Sequence, residues 1–433
     1  MLYLFILLLQ WLLCIIHLIQ ATYNPLRGHV MKTIAIIGTF DTKGTEYEFL
    51  RKKIESQGLK TLMIHAGGFP PAIHADISNE QVAGAVGQDI HEIIRKNDRA
   101  LVTDTMSRGI EALLPKLYEK GLFQGAISFG GSGGTSIAAP GMRALPVGVP
   151  KIIVSTVASG DVSVYVGTSD LVMFPSIVDI SGLNWVSRTI FTNAANAVAG
   201  MVKNAPDPAA DDNRPIVAAT MFGVTTPCID QARRYLEAHG YEVIVFHATG
   251  TGGNAMENLI ASGRVRGVLD ITTTELADEV CGGRMLAGPA RLTTAGRMRI
   301  PQVVSVGAAD IAVFGTRDTI PEKYAGRRFY QHNPTTTLMR TNIEENIKIG
   351  RLLASRLNGA AGKTAMMLPL RGVSMIDADN QPFYGKDEDE ALFRTLSDNI
   401  DPQKVELIKM DCNINAEDFS LAAASKLIEY MEA

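Results

Sequence analysis

The run Gly130-Gly131-Ser132-Gly133-Gly134-Thr135-Ser136 follows directly on an apolar stretch at 126–129. Residues without side chains let successive backbone N–H groups converge as an anion nest, and a helix starting near Thr135 would add the positive end of its dipole. The chemistry this spacing points to is phosphate binding, set against a plain flexible surface loop. A second polar run, Gly38-Thr39-Phe40-Asp41-Thr42-Lys43-Gly44-Thr45, closes the apolar stretch at 34–37. It fits neither G-x-x-x-x-G-K-[ST] nor G-x-G-x-x-G. It still gathers hydroxyls, a carboxylate and an ammonium at a helix start. Lys43 can offset phosphate charge or stand as a solvated cation; Asp41 can hold magnesium or a ribose hydroxyl, or simply cap the helix. Ser155-Thr156-Val157-Ala158-Ser159-Gly160 follows another apolar run, and Gly167-Thr168-Ser169-Asp170 precedes one.

The second half of the chain has polar strand ends of its own: Phe222-Gly223-Val224-Thr225-Thr226-Pro227, the run from His247 to Gly253, Asp270-Ile271-Thr272-Thr273-Thr274-Glu275, the run from Ser305 to Asp310, and His332-Asn333. His247, Glu275 and Asp310 are the candidates for general acid–base work or metal ligation, set against ordinary hydrogen-bonded roles. No metal is specified by their spacing. Gly362-Lys363-Thr364 imitates the end of a P-loop, but Leu357 stands where the first glycine belongs, and a strand rather than a helix is expected next.

These residues need elements to hold them. Short apolar runs alternate with helical periodicity: strands are expected at 34–37, 62–64, 126–129, 152–155 and 171–174, with helices between them, one opened by a Ser78/Gln81 capping box, and a long helix at 185–201. The polar, proline-bearing segment 204–214 is the expected linker. Strands at 216–221, 243–246, 268–271, 303–306, 365–368 and 405–409 repeat the plan. The expected fold is α/β: two Rossmann-like domains, 31–203 and 215–433, each a mainly parallel sheet with helices on both faces. In such sheets ligands sit beyond the carboxyl ends of the strands.

Composition narrows the classes. The chain of 433 residues is 46% hydrophobic and 20% charged, with a formal net charge of −4 and no basic block, so a nucleic-acid groove is excluded as a main function. Four scattered cysteines, Cys14, Cys228, Cys281 and Cys412, form neither a disulfide framework nor a zinc knuckle and point to a reducing, cytoplasmic setting. A reactive thiol at Cys281, before Gly282-Gly283, is weighed against an inert one. Residues 2–19 are nearly continuous apolar residues, lacking a positive flank or a small-residue cleavage site. The preferred reading is a functional start at Met31, with 1–30 an extension of the gene reading; the alternative is a membrane anchor.

The runs at 130–136, 150–160, 167–171, 220–227, 245–250 and 267–275, taken together, resemble the ATP-binding domain family of the tomato mosaic virus resistance protein, which also has bacterial and fungal members. The match covers nearly everything from Met31 onward; the apolar stretch before it departs from the pattern. The resemblance implies two α/β subdomains, ATP bound in the first, and self-association into dimers. The family's reaction does not carry over.

Two functions follow as expectations. One is an ATP-dependent enzyme, with nucleotide and magnesium in the first domain and a small molecule at the interdomain cleft facing His247, Glu275 and Asp310. The other is a nucleotide-gated binding module without turnover. An NAD-dependent oxidoreductase is excluded, because the first turn lacks the dinucleotide fingerprint and the second strand ends in His65-Ala66-Gly67, with no acid for a ribose.

Overall fold

The computed structural model describes residues 31–206 and 213–433, so the apolar stretch at the amino end and the middle of the expected linker lie outside the described residues. The chain divides into two compact units at Pro206/Asp207.

Unit 1 runs β1 (Thr33–Gly38), α1 (Gly44–Glu55), β2 (Lys60–His65), α2 (Arg99–Glu119), β3 (Gly125–Gly130), α3 (Ser132–Arg143), β4 (Lys151–Ser155), β5 (Val172–Pro175) and α4 (Trp185–Lys203), with short helical turns between β2 and α2. Its five strands are parallel, in the order β2-β1-β3-β4-β5. Alternation along each strand divides the core into two layers. Ala35, Ile37 and Ile153 face Met106, Ile110 and Leu114 of α2 and Ile137 and Met142 of α3. Ile34, Ile36 and Val154 face Leu50 and Ile54 of α1 and Phe191, Ala194 and Val198 of α4. This is the two-faced burial that turns parallel strands into near-continuous apolar runs. The Ser78/Gln81 capping box forms, with Ser78 N–H donating to Gln81 Oε1 at 2.9 Å, but it opens only the one-turn helix Asn79–Gly84.

Unit 2 repeats the plan: β6 (Ile216–Met221), α5 (Thr226–Ala238), β7 (Glu242–His247), α6 (Thr251–Ala261), β8 (Val265–Thr272), α7 (Thr274–Cys281), β9 (Gln302–Gly307), β10 (Ile311–Phe314), β11 (Phe329–Asn333), β12 (Thr336–Arg340), α8 (Ile343–Leu357), β13 (Thr364–Pro369), α9 (Lys386–Asn399), β14 (Val405–Met410) and α10 (Glu417–Glu432). Its parallel sheet has the order β14-β13-β9-β8-β6-β7. α5 and α10 cover one face, α8 and α9 the other. Both units are therefore α/β with parallel sheets flanked by helices. An antiparallel trio, β10-β12-β11, was not expected from the sequence. β10 is apolar and buried but only four residues long, and β11, which carries His332-Asn333, is polar and exposed, without the apolar signal of a buried strand. β13 begins at Thr364, confirming that Gly362-Lys363-Thr364 is no P-loop. No helix among the described residues is long and apolar enough to cross a membrane.

Candidate functional site

In unit 1 the chain passes from β1 to β2 on one side and then crosses to β3 on the other, so the strand order reverses between β1 and β3. A doubly wound sheet opens a crevice at such a switch point, where successive loops leave in opposite directions. A cleft of about 760 Å³ lies there. The loop after β1 contributes Thr39, Asp41, Thr42 and Lys43, and the loop after β3 contributes Gly131, Ser132, Gly133 and Gly134. Two runs singled out by sequence thus meet in one place.

The glycine run is not a left-handed nest. None of Gly130, Gly131, Gly133 and Gly134 has positive φ; Gly131 is the extended N-cap at φ −72°, and the helix begins at Ser132, three residues earlier than expected. No side chain among the described residues caps the N–H groups of the first turn of α3. The glycines divide by task. A Cβ on Gly130 would lie 2.8 Å from Gly134 Cα, so this position is needed for the tight strand-to-helix turn. A Cβ on Gly133 would meet no protein atom within 4 Å, so the space beside this residue of the cleft wall is open. Beneath the turn, Tyr47, Phe129 and Phe191 stack at 3.9 and 4.6 Å. Tyr47 Oη donates to Phe129 O at 2.5 Å and accepts from Phe129 N–H, which fixes the peptide just before the glycines. Burial pushes its phenol up to about 12, so it remains a donor.

The β1 loop is more committed than its residue types suggest. Asp41 is not the helix cap: that position is Lys43, and the Asp41 carboxylate accepts from Thr42 N–H at 2.9 Å and from Phe69 N–H at 3.0 Å. Lys43 Nζ donates to Ile180 O in the loop after β5. Thr42 Oγ1 donates to Thr39 Oγ1 at 3.1 Å.

The remaining first-domain candidates stand apart from the cleft lining. Ser155 Oγ pairs with Thr135 Oγ1 at 2.6 Å, both buried, and ties the end of β4 to α3. Thr156, Ala158, Ser159 and Gly160 form a turn after β4 whose nearest link to the glycine loop is Thr156 N–H donating to Gly130 O at 3.3 Å. Asp170 lies at the amino ends of the strands, opposite the cleft: its carboxylate meets the buried Lys151 ammonium at 2.7 Å and Gly148 N–H at 2.8 Å. Partial burial opposes ionisation there, yet Lys151 and the Gly148 amide hold the carboxyl below its usual range. Thr168 and Ser169 share that segment.

Sequence reasoning missed the third wall. Gly67, Gly68 and Phe69, after β2, and Asn97, Arg99 and Val102, around the start of α2, line the same cleft, as does Asp179 after β5. The signal was readable in Gly67-Gly68-Phe69-Pro70-Pro71, a glycine pair at a strand end followed by two prolines that stop any helix.

Unit 2 treats its corresponding features differently. Its strand order reverses between β6 and β8, and there Thr225 Oγ1 and Thr272 Oγ1 pair at 2.8 Å, both fully buried. Its glycine run opens α6, but Glu275 occupies that amino end: Oε1 accepts from Gly250 N–H at 2.7 Å and Gly253 N–H at 3.1 Å. Oε2 accepts from Arg291, which also grips Asp270 and faces Glu257, all buried. Glu275 is thus a structural counter-charge, because both its oxygens are taken by the Gly250 and Gly253 amides and by Arg291. His247 ends β7 with its ring 5.4 Å from Phe222; desolvation lowers its pKa, and the Glu275 charge opposes this. Asp310 belongs to another network. Ser374 Oγ donates to its Oδ2 at 2.9 Å, while Oδ1 has no partner among the described residues. Burial, then the Asp377 charge, push its carboxyl up to about 7. Cys281 is buried, and burial raises its thiol far above the ordinary value, which removes it as a nucleophile. Among the described residues, no group of three or more His, Cys, Asp or Glu is placed to hold a metal.

Comparison with known proteins gives close relatives along most of the chain. A UPF0261 protein of Clostridium tetani is 50% identical over 402 residues, covering 93% of this chain and 99% of its own. One of Rhizobium meliloti is 42% identical, covering 91% and 98%. The ToMV resistance protein Tm-1(GCR237) of Solanum lycopersicum is 41% identical over 336 residues, 76% of this chain but 45% of the tomato protein. Among solved structures, UDP-N-acetylglucosamine 2-epimerase from Rickettsia bellii aligns with 64% of this chain and 79% of its own at 10% identity and a TM-score of 0.22, a likeness too slight to carry function across. Models of the N-terminal and C-terminal domains of the uncharacterised protein family UPF0261 match residues 32–207 and 214–431, and the chain belongs to that family.

Proposed function

We propose that unit 1 binds ATP, with the phosphates at the amino end of α3 in the β1/β3 switch-point cleft. The observation that carries this reading is the uncapped, glycine-walled helix start opening into about 760 Å³ of space. Unpaired N–H groups and the helix dipole favour an anion there. Unit 2 supplies an internal comparison, since its own glycine-rich helix start is satisfied by a carboxylate, Glu275. The first turn of α3 has no such partner among the described residues. Lys43 is one hydrogen bond away from release toward a phosphate. Magnesium would arrive with the nucleotide, which brings most of its oxygen ligands, and Asp98 and Asp179 are exposed carboxylates of the cleft wall, of the kind such an ion takes.

The test is Gly131→Asp. A Cβ at this N-cap would sit 3.7 Å from Thr156 Oγ1, an ordinary contact, and aspartate is a preferred N-cap. The variant should fold with an unchanged or higher melting temperature while its carboxylate takes the amides of the first turn, as Glu275 does in unit 2. ATP should raise the melting temperature of the wild type and not of the variant. A variant that still responds to ATP refutes the placement.

A second reading, in which binding is coupled to turnover, has one observation in its favour: the buried Asp310 carboxyl with an unpaired oxygen and a pKa pushed up to about 7 is the kind of group that serves as an acid or base. Release of ADP or AMP from purified protein in a metabolite screen supports it; nucleotide that stays intact throughout the screen supports binding alone.

A further inference from the structure

The cleft is not lined by polar groups alone. Ile94, Val102, Ile137 and Phe69 line it too, beside Asn97, Asp98, Arg99 and Thr103. Phe69 is 61% exposed. A lone exposed phenylalanine is common on protein surfaces; the way this one is held is not. Its N–H donates to Asp41 Oδ2 at 3.0 Å, and its carbonyl accepts from His65 Nε2 at 2.8 Å. His65 is fully buried, and its Nδ1 accepts from Phe40 N–H at 3.1 Å, which places the imidazole proton on Nε2 and makes that nitrogen the donor. Asn79 Nδ2 donates to Gly67 O at 3.0 Å and to Gly68 O at 3.3 Å. A Cβ on Gly67 would lie 2.3 Å from Asp41 Oδ1, so glycine is what allows the β1 and β2 loops to approach this closely. Both peptide groups of one exposed aromatic residue are thus anchored by side chains from neighbouring segments, and its ring is left on the cleft wall.

We propose that Phe69 is the stacking platform for the planar base of the nucleotide, and that His65, Asp41 and Asn79 are positioning residues that fix the platform before the ligand arrives. The inference rests on the phosphate placement above and extends it from an anion site to a site for an anion joined to an aromatic ring. Polyphosphate satisfies the helix start but leaves the exposed Phe69 ring wet; a base covers it. An aromatic face held in advance loses little freedom on binding, so most of the stacking energy appears as affinity.

The experiment is calorimetric titration of the full chain with two probes, ATP and inorganic tripolyphosphate, on wild type, Phe69→Ala, Phe69→Trp and Gly131→Asp. Phe69→Ala should weaken ATP by about tenfold or more and leave tripolyphosphate unchanged. Phe69→Trp should restore ATP affinity, and its added indole fluorescence should be quenched by ATP and not by tripolyphosphate. Phe69→Ala binding ATP like wild type, while Gly131→Asp loses both probes, overturns the platform and leaves the phosphate site standing. Phe69→Ala weakening both probes equally also overturns it, since the residue would then act only through loop structure. Wild type binding neither probe overturns the phosphate placement and the platform with it.

Discussion

Asp310 is a residue held well away from its ordinary chemistry. Its carboxyl is fully buried and faces Asp377, and these outweigh the favourable pull of Arg340 and the Ser374 hydroxyl, raising the pKa from 3.8 to about 7. A folded-state pKa above the unfolded one means that the native state holds a proton the unfolded chain has released. The stabilising effect is therefore complete below 3.8 and is lost as pH rises through about 7. Asp310→Asn keeps the shape without the charge. Its melting temperature should gain on that of the wild type between about pH 5 and about pH 8, and curves that run parallel over this range would contradict a raised pKa. At the same scale the sequence was half legible. It nominated Asp310 and Glu275 from their places after strands, but a residue type does not reveal whether a carboxylate faces a ligand or its own chain's amides and Arg291.

At the scale of elements, the start of α3 combines two demands that pull apart. Helix propensity disfavours the glycines that the cleft requires. Gly133→Ala should separate them: a methyl there meets no protein atom and should stabilise the fold by up to about 1 kcal/mol, while it intrudes on the ligand's space. Denaturant unfolding should show the gain, and ATP titration a weaker affinity; unchanged affinity would mean that Gly133 does not face the phosphates. Most parallel strands were legible because burial on both faces makes them continuous apolar runs, as at β6, where the expected 216–221 is the observed strand. β10–β12 were not, because their burial comes from a small antiparallel sheet with one polar, exposed edge. The start of α3 was misplaced by three residues because glycine and serine carry no helical periodicity, although they supply its first turn.

For the whole molecule, the two units share one plan: the orders β2-β1-β3-β4-β5 and β7-β6-β8-β9-β13-β14 are the same doubly wound scheme, the second extended by a strand. They differ in what fills the switch point. Unit 1 leaves it open beside an uncapped helix; unit 2 packs paired threonine hydroxyls into it and plugs its glycine-led helix with Glu275. Both glycine runs look alike in sequence, and only the fold distinguishes a site kept free from one satisfied internally. The most direct measurement is a crystal structure of the protein soaked with ATP. The phosphates should lie within hydrogen-bonding reach of the Ser132, Gly133 and Gly134 amides, with the base over Phe69. Nucleotide bound in any other place, with this cleft holding only solvent, would contradict the account.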